Sequence, residues 1–326
     1  MMAHTATARA HPNIAFIKYW GNADEKLRLP ANPSISMNLD GLHTETRVSW
    51  DDSLASDMLL LNGVEESGRA LHRVSLHLDV MRRWLGLTAK ARVESVNNFP
   101  MGTGIASSAS SFAALTLAAA AASGKPISER ELTTLARLGS GSAARSIPAG
   151  FVEWHTGKAH EESYAESVAG PEHWALMDVV AILSAAHKEV GSREGHTSAN
   201  SSDLQGARVA GAARRLALCK QAILERNFAA LADVVELDSN LMHAVMMTSQ
   251  PPLFYWLPGT LTIMDKVRRW RAAGLRVCYT LDAGPNVHCI CVREDAETVR
   301  KELSGLSEVV DVRLAAPGGA AQIVAS

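Results

Sequence analysis

A glycine- and serine-rich segment has the composition of a phosphate-binding turn. Residues 100–108 read Pro-Met-Gly-Thr-Gly-Ile-Ala-Ser-Ser, follow a strand-like stretch at residues 92–96, and lead into a helix predicted to begin near Ser107. Glycines let the backbone approach an anion closely, and the free N–H groups at a helix start attract phosphate. A glycine turn before a small-residue core helix would explain the pattern equally well. The adjacent Ser107 and Ser108, which could reach phosphate oxygens or a magnesium shell, favour phosphate binding.

A second anion-binding turn is predicted at residues 139–146, which read Gly-Ser-Gly-Ser-Ala-Ala-Arg-Ser and open a helix. The N–H groups and hydroxyls of this turn can hold one anion. Arg145 can pair with a carboxylate through two parallel N–H bonds. The alternative interpretation is that Arg145 is an ordinary residue on the surface of a helix.

Two charged residues lie beside apolar strands, where a cleft could use them. Asp282 ends an apolar strand just before the turn Ala-Gly-Pro-Asn, so its carboxylate could orient or deprotonate an alcohol. Lys18 and Tyr19 lie on a strand-like apolar segment, and a lysine there is costly to bury unless it meets an anion. The alternatives are an aspartate that only caps its turn and an edge lysine whose ammonium group reaches solvent.

The first segment is neither a Walker loop nor a dinucleotide-binding fingerprint, because no Gly-Lys-Ser/Thr follows and the glycine spacing differs. Its pattern Pro-x-Gly-x-Gly-x-Ala-Ser-Ser resembles the phosphate loop of the GHMP kinases. Other stretches resemble the mevalonate diphosphate decarboxylases within that superfamily. They are Asn-Ile-Ala-Phe-Ile-Lys-Tyr-Trp-Gly at residues 13–21, the turn at 139–146, and Tyr-Thr-Leu-Asp-Ala-Gly-Pro-Asn at 279–286. The resemblance runs from about residue 8 to residue 325, and the order of the motifs makes it specific.

The resemblance implies an α+β fold of the GHMP kinase type. An N-terminal ribosomal-protein-S5-like α/β domain would cover residues 1–165 and pack on a ferredoxin-like α+β domain at residues 166–326. The implied activity is ATP-dependent decarboxylation of 5-phosphorylated mevalonate in isoprenoid biosynthesis, with ATP and Mg2+ as cofactors. Because homodimers occur among relatives, we expect a homodimer by analogy only.

The resemblance also implies roles for single residues. Asp282 corresponds to the base that acts on the C3 hydroxyl, Arg145 to the arginine that contacts the substrate carboxylate, and Lys18 would stabilise the departing phosphate. Substrate contacts are assigned to Tyr19, Arg69, Ser140, Gly141, Ser142, Ser192 and Arg193. Nucleotide contacts are assigned to Asn98, Gly102, Thr103, Gly104, Ser107 and Ser108, with Ser108 also in the magnesium shell.

One departure from the family pattern concerns the substrate. After Tyr-Trp-Gly the family has a lysine that contacts the diphosphate, whereas this chain has Asn22. Loss of a charge-assisted contact costs about 1.5 to 3 kcal/mol, so a second phosphate would bind less well. We therefore predict mevalonate 5-phosphate as the preferred substrate and isopentenyl phosphate as product, with mevalonate 5-diphosphate as the alternative and Arg28 as a replacement cation. His196, where a methionine is common, could alter the substrate pocket.

Two other functions remain open at this point. A plain kinase of the same fold would phosphorylate an alcohol and stop, although the presence of both Asp282 and Arg145 favours decarboxylation. An inactive ligand-sensing or scaffold protein would usually have lost the base or the phosphate loop, and this chain has both.

The predicted elements explain how these residues could meet. Alternation at Thr44, Thr46, Val48 and Trp50 predicts a half-exposed strand, and residues 71–85 have helical spacing. A capping-box pattern predicts a further helix from Ser128. In the second half, helical patterns cover residues 202–246 and 260–273, and strands are predicted at 276–281 and 287–292. A polar segment at 155–171 is predicted to be the connection between the halves.

Composition excludes some classes of function. The chain has 326 residues with 32 basic and 34 acidic side chains, a net charge of -2, so no long-range positive field would hold a nucleic acid. The longest small-apolar run, at residues 112–122, is too short to span a bilayer. Residues 1–11 lack an apolar signal core.

The cysteines and histidines indicate no metal site. The four cysteines lie in apolar stretches without zinc-ligand spacing, so we predict reduced core residues and a cytoplasmic protein. His187 and His288 lie near motifs without a partner at metal-ligand spacing, and we predict structural roles for both.

Overall fold

The computed structural model describes residues 4–99, 107–184 and 192–324, and of His4 and residues 192–194 it describes the main chain only. The strands in these ranges are β1 (His4–Ala10), β2 (Asn13–Ile17), β3 (Asn22–Asp24), β4 (Leu29–Pro30), β5 (Ser34–Asp40), β6 (Thr44–Asp51), β7 (Met58–Leu61), β8 (Val64–Glu66), β9 (Lys90–Asn97), β10 (Phe151–Trp154), β11 (Ala165–Ala169), β12 (Leu176–Ile182), β13 (Val277–Thr280), β14 (Val287–Val292), β15 (Asp311–Pro317) and β16 (Gln322–Val324).

The helices are α1 (Arg69–Leu85), α2 (Ser107–Ala122), α3 (Glu129–Gly139), α4 (Ser192–Ser198), α5 (Gln205–Ala210), α6 (Ala212–Glu225), α7 (Phe228–Thr248), α8 (Pro258–Ala272) and α9 (Ala296–Ser304). Short 3-10 helices cover Gly141–Ser146, Ala199–Ser201 and Arg293–Asp295. The mixture of helices and strands in both halves agrees with the predicted α+β class.

A six-stranded sheet has the order β16, β1, β6, β9, β7, β8, and only its β7 and β9 neighbours run parallel. The predicted alternation in β6 is confirmed, because its first, third, fifth and seventh residues are buried. Alanines of α2 pack in the same core as β1 and β6, and their small side chains let the helix lie close to the sheet. The sheet therefore fixes the start of α2.

A larger sheet has the order β11, β10, β5, β15, β12, β14, β13, and β2 pairs with β5. One face packs on α6 and α7 around Ile14, Phe16 and Leu231, and the other face packs on α8 and α9 around Val179 and Ile263. Helix α7 packs on both β2 and β13. The residues that follow these two strands are thereby brought to one place.

Several predicted helices and strands are confirmed, and two of the helices have a typical capping residue at one end. The region of helical spacing at residues 71–85 lies in α1, which ends at Gly86 in the left-handed conformation with φ 67. The capping box holds α3, because the Ser128 hydroxyl accepts from the Glu131 N–H and the Glu131 carboxylate accepts from the Ser128 N–H. The strands predicted at residues 276–281 and 287–292 are β13 and β14.

Two predicted regions contain more elements than the sequence pattern indicated. The helical prediction at residues 202–246 is confirmed, and the region contains α5, α6 and α7. Helices α6 and α7 are separate because Arg226 adopts the left-handed conformation with φ 56 and Asn227 caps α7 through its side chain. The polar connection at residues 155–171 contains β11, whose central residues are exposed and therefore show no apolar alternation. The domain boundary at residue 165 stays a prediction, and β16 returns to pair with β1.

The cysteines lie where the apolar pattern predicts. All four are free and buried, and Cys289 and Cys291 belong to the same core cluster. Burial raises the pKa of the Cys219, Cys278 and Cys289 thiols well above the ordinary range, so they stay protonated. Across the described parts of the chain, the helices are too short or too polar for any of them to cross a bilayer.

Candidate active site

An ion pair joins the residues that follow β2 and β13. Lys18 comes directly after β2, and its Nζ lies 2.7 Å from Oδ1 of Asp282, two residues beyond β13. The Lys18 side chain is only 1% exposed, whereas that of Asp282 is 27% exposed. The predicted base and the predicted lysine are therefore in contact, and the carboxylate is the member that a bound molecule can reach.

The two members of the pair keep each other charged. Burial lowers the pKa of Lys18, and the negative charge of Asp282 opposes that effect. Burial alone would raise the pKa of Asp282, but the neighbouring positive charges, that of Lys18 first, and the hydrogen bond from Lys18 together outweigh burial, so this pKa lies below its usual value. The contact of 2.7 Å between Lys18 and Asp282 is thus an ion pair, in which a carboxylate that can accept a proton lies beside an ammonium group.

Arg145 lies in the 3-10 helix that follows α3 and is 3% exposed. Its Nε and Nη2 donate to Oδ1 of Asn13 at 3.3 and 3.2 Å, and its Nη1 donates to the Ser34 hydroxyl at 2.6 Å. Burial lowers the pKa of Arg145 to about 10, so the guanidinium is still charged at neutral pH. The charge of Asp282 is the largest one acting on it, so the predicted carboxylate-binding cation lies within electrostatic range of the predicted base.

Asn13 and Ser34 were missed by the sequence analysis. The Asn13 amide donates to the Ser142 carbonyl oxygen at 3.1 Å and to the Ser146 hydroxyl at 2.8 Å, so it links the start of β2 to the 3-10 helix. An asparagine that opens a buried apolar strand is the signal that could have identified it, because a buried amide needs partners. Ser34 has no comparable signal.

Serines of two elements meet at the start of α2. The Ser108 hydroxyl oxygen lies 3.2 Å from that of Ser140, and Ser140 lies 3.5 Å from Ser142. The predicted nucleotide contact Ser108 and the predicted substrate contacts Ser140 and Ser142 therefore form one row of hydroxyls. The first turn of α2 has no acidic residue, which leaves the positive end of the helix dipole available to an anion.

Tyr19 is packed between aromatic rings. Its ring centroid lies 4.7 Å from that of Trp154 in an edge contact and 4.0 Å from that of His196 in a stacked contact. A Cβ on Gly141 would lie 2.5 Å from the Tyr19 ring, so glycine is required there for the two elements to approach. His196 also accepts from the Gly21 N–H at 3.0 Å, and the structure thus assigns it a role in holding the segment around Tyr19.

Asn22 lies in β3, and both the oxygen and the nitrogen of its side-chain amide form hydrogen bonds. Its Oδ1 accepts from the Tyr19 hydroxyl, and its Nδ2 donates to Glu25 at 2.9 Å. Arg28 follows in the turn before β4 with φ 49, and its charge is the largest one acting on Tyr19. Asn22 is therefore bonded to Tyr19, and Arg28 acts on the same tyrosine through its charge.

The remaining predicted residues have different outcomes. Arg69 is exposed at the first position of α1. The Asn98 side chain donates to the Gly41 carbonyl at 2.8 Å and accepts from the His43 N–H at 2.8 Å, so it ties the turn between β5 and β6. The Ser107 carbonyl accepts from hydroxyls of the next turn of α2. Outside the described residues lie Gly102, Thr103, Gly104 and the side chains of Ser192 and Arg193.

A narrow apolar cavity lies between the six-stranded sheet and the helices α1 and α2. Most of its lining residues are aliphatic or aromatic, and two serines and a threonine complete it: Thr46, Leu59, Leu61, Val74, Val93, Ser95, Ser111, Phe112 and Leu115. Ser111 is one turn from the start of α2, so the cavity and the row of hydroxyls lie on the same helix.

Comparison with known families covers most of the chain. Residues 10–165 match the diphosphomevalonate decarboxylase-like N-terminal domain, and residues 178–313 match the mevalonate 5-diphosphate decarboxylase C-terminal domain. The diphosphomevalonate decarboxylase of Aspergillus fumigatus is 39% identical over 319 residues, which are 91% of this chain and 79% of the relative.

Solved structures have the same fold. The mevalonate diphosphate decarboxylase of Staphylococcus aureus superposes with a TM-score of 0.94 at 35% identity, covering 99% of each chain. A structure described as MDDEF in complex with MVAPP, AMPPCP and magnesium also has a TM-score of 0.94 at 35% identity, covering 100% of each chain. The mixed α+β fold is therefore of the GHMP kinase type that the motifs predicted.

Proposed function

The chain belongs to the diphosphomevalonate decarboxylase family of ATP-dependent carboxy-lyases, and we propose that its substrate is mevalonate 5-diphosphate and its product isopentenyl diphosphate. The observation that carries the proposal is the cluster in which the accessible carboxylate of Asp282 lies against Lys18, within electrostatic range of Arg145. A base, a cation for the leaving group and a cation for the acid end of the substrate are what this reaction needs.

The preference for the monophosphate inferred from Asn22 is not supported, because the relatives and the matching domains are named for the diphosphate. The prediction gave more weight to the lysine missing at position 22 than to Arg28 as a replacement cation. Arg28, whose charge acts on Tyr19, can supply positive charge to a second phosphate without a lysine at position 22. We propose this role for Arg28.

We propose the following chemistry for the residues of the cluster. The Asp282 carboxylate accepts the proton of the C3 hydroxyl as that oxygen attacks the terminal phosphorus of ATP, and ADP leaves. The bond between the substrate carboxylate and C2 then breaks, its electrons form the alkene, and the C3 phosphate departs with the C–O electrons. Lys18 stabilises the departing phosphate, and Arg145 orients the carboxylate until carbon dioxide forms.

ATP and Mg2+ are the cofactors of this family of reactions, and the residues present fit them. The hydroxyls of Ser108 and Ser140 at the start of α2 suit the phosphates, and the Ser108 oxygen suits the magnesium shell. Bound magnesium neutralises part of the phosphate charge.

Product analysis tests the proposed function. With ATP, Mg2+ and mevalonate 5-diphosphate, we expect carbon dioxide, ADP and phosphate in equal amounts, and faster turnover than with mevalonate 5-phosphate. A stable phosphorylated acid without carbon dioxide would instead identify a kinase. Faster turnover of the monophosphate would overturn the proposed substrate.

The substitution Asn22→Lys is expected to lower KM for the diphosphate by about tenfold, because it adds a charge-assisted contact. The effect on the monophosphate should be smaller. Asn22→Met is the matched control, since it has similar length without charge, and it should not change the ratio of the two KM values. Equal KM changes for both substrates in Asn22→Lys would contradict a role of position 22 in recognising the second phosphate.

The substitution Gly141→Ala is expected to raise KM for the diphosphate by about tenfold or more, because the new methyl group must displace the Tyr19 ring. Steady-state kinetics with both substrates varied gives the KM values. Gly206→Ala serves as control, since that helical glycine has nothing within 4 Å of an added Cβ. If Gly141→Ala kept the KM of the Gly206→Ala enzyme, Tyr19 and Gly141 would not form part of the substrate site.

A further inference from the structure

The main chain of Lys18 is held by buried side chains on both sides. Its N–H donates to Oδ2 of Asp238 on α7 at 2.6 Å. Its carbonyl oxygen accepts from Nη2 of Arg208 on α5 at 2.7 Å and from the Asn32 amide at 2.9 Å. Because β2 ends at Ile17, no strand neighbour fixes Lys18, and these side chains replace the missing strand partners.

Arg215 on α6 completes the network. Its Nε donates to Oδ1 of Asp238 at 2.6 Å, and its Nη2 donates to the Arg208 carbonyl oxygen at 2.7 Å. The Asp238 side chain is 0% exposed and that of Arg215 is 3% exposed. Three helices, α5, α6 and α7, are thus connected to the one residue that carries the ammonium group.

Burying the charged side chains of this network costs free energy of desolvation, which apolar side chains would not require. The rest of the contact between α7 and β2 is apolar, with Leu231 and Val235 packed in the same cluster as Ile14 and Phe16. Buried ion pairs are often no more stable than apolar side chains of the same volume. The buried polar side chains lie at the residue that directly follows β2 and forms the ion pair with Asp282. This location indicates that they fix the position of Lys18.

We propose that Asp238 is a positioning residue for catalysis, which with Arg208 and Arg215 fixes the Lys18 main chain so that Nζ stays against Asp282. This inference rests on the proposed role of Lys18 in the reaction. Asp238 accepts from the main chain of Lys18 and therefore acts through Lys18, without contact to the substrate.

The charges around Lys18 affect its pKa, so the pH dependence of the reaction also reports on Asp238. The negative groups are Asp282 after β13 and Asp238 on α7, and both raise the pKa of Lys18 against the lowering by burial. Arg145 lowers it. Removing the charge of Asp238 therefore lowers the pKa of Lys18 further, and the ammonium group loses its proton at a lower pH.

The other charged groups near Lys18 do not cancel this effect. His243 on α7 is neutral, because burial lowers its pKa to about 3. His288 on β14 is paired with Asp178 at 2.6 Å. Arg208 and Arg215 add positive charge, which favours the neutral form of Lys18. All of these groups stay in place when only the Asp238 carboxylate is changed.

The test compares Asp238→Asn with Asp57→Asn in the full-length enzyme. Asp57 is a matched control: it is buried, accepts the Ala91 N–H at 2.9 Å, and binds Arg82 at 2.9 Å, but it lies under α1. Both variants should lose thermal stability. Only Asp238→Asn should lower kcat, by about tenfold or more, with KM for ATP within about twofold. In the pH profile of kcat for Asp238→Asn, the loss of activity at high pH should occur at a pH lower by about half a unit or more than in wild type.

The outcomes separate this inference from the proposed function. If Asp238→Asn matches Asp57→Asn in kcat and in its alkaline limb, while wild type still releases carbon dioxide, the positioning role is overturned and the function stands. If Asp238→Asn does not fold, Arg215→Lys takes its place, because it loosens Asp238 and keeps both charges. That variant should lower kcat by about fivefold with an unmoved alkaline limb, and unchanged kcat would overturn the inference.

Discussion

Replacement of Asp282 by asparagine lowers kcat for decarboxylation by an expected hundred- to ten-thousandfold, about the range that a general base contributes. The carboxylate is the accessible member of its pair with Lys18, and an amide of the same shape cannot accept the hydroxyl proton. ATP affinity should change by less than about twofold, because the serine row at the start of α2 does not involve Asp282. Release of ADP and carbon dioxide measures the first effect, and calorimetric titration with an ATP analogue measures the second.

Asp295→Asn is the control for a lost carboxylate in the same half of the molecule. Asp295 accepts from the Arg276 N–H at 2.9 Å and from its Nε at 3.1 Å, away from the cluster around Lys18. This variant should retain kcat. A turnover in Asp282→Asn within about tenfold of wild type would refute the assignment of Asp282 as the base.

The second large effect is expected for Arg145→Lys, which should lower kcat/KM for the diphosphate substrate by about a hundredfold. Lysine keeps the positive charge but loses the planar fork, which binds Asn13 and Ser34 and can still face a carboxylate. An ammonium group cannot hold these two partners and the substrate in the same geometry. Steady-state rates with the diphosphate varied measure the change.

Arg137→Lys is matched to this variant, because burial also lowers the pKa of Arg137 to about 10. Arg137 binds main-chain carbonyl groups, among them that of Leu27 at 3.1 Å, and should tolerate lysine with a loss of stability only. Comparable losses of kcat/KM in the two variants would show that any buried arginine in this half is equally important, and would remove the argument for Arg145 as the carboxylate contact.

Residue type and local order were enough to predict that three charged groups serve one site, and their roles in the reaction stay a proposal. A lysine in an apolar strand, an aspartate at the end of another strand and an arginine in a serine turn are each unusual, and the structure joins the lysine and the aspartate within electrostatic range of the arginine. The serine row was predictable for the same reason, since both of its segments are rich in glycine and serine.

The partners of these groups could not be predicted, because they depend on tertiary contacts. Asp238 lies between Val235 and Met242 on the apolar face of α7, which marks it as a buried acid, but the sequence does not show that its partners are Lys18 and Arg215. Ser34 is one of many serines. The break between α6 and α7 was missed because apolar spacing continues through Arg226, whose left-handed conformation has no sequence signature. The strand β11 was missed because exposed strands lack alternation.

The pairing of β16 with β1 and of β15 with β5 has a consequence for the order of folding. Each of the two large sheets contains a pair of strands that are separated by most of the chain. Neither sheet is therefore complete until residues 311–324 have been synthesised. Long-range pairing of this kind slows folding and leaves strand edges open in the meantime. During translation, the edges of β1 and β5 that later pair with β16 and β15 therefore stay open until residues 311–324 arrive.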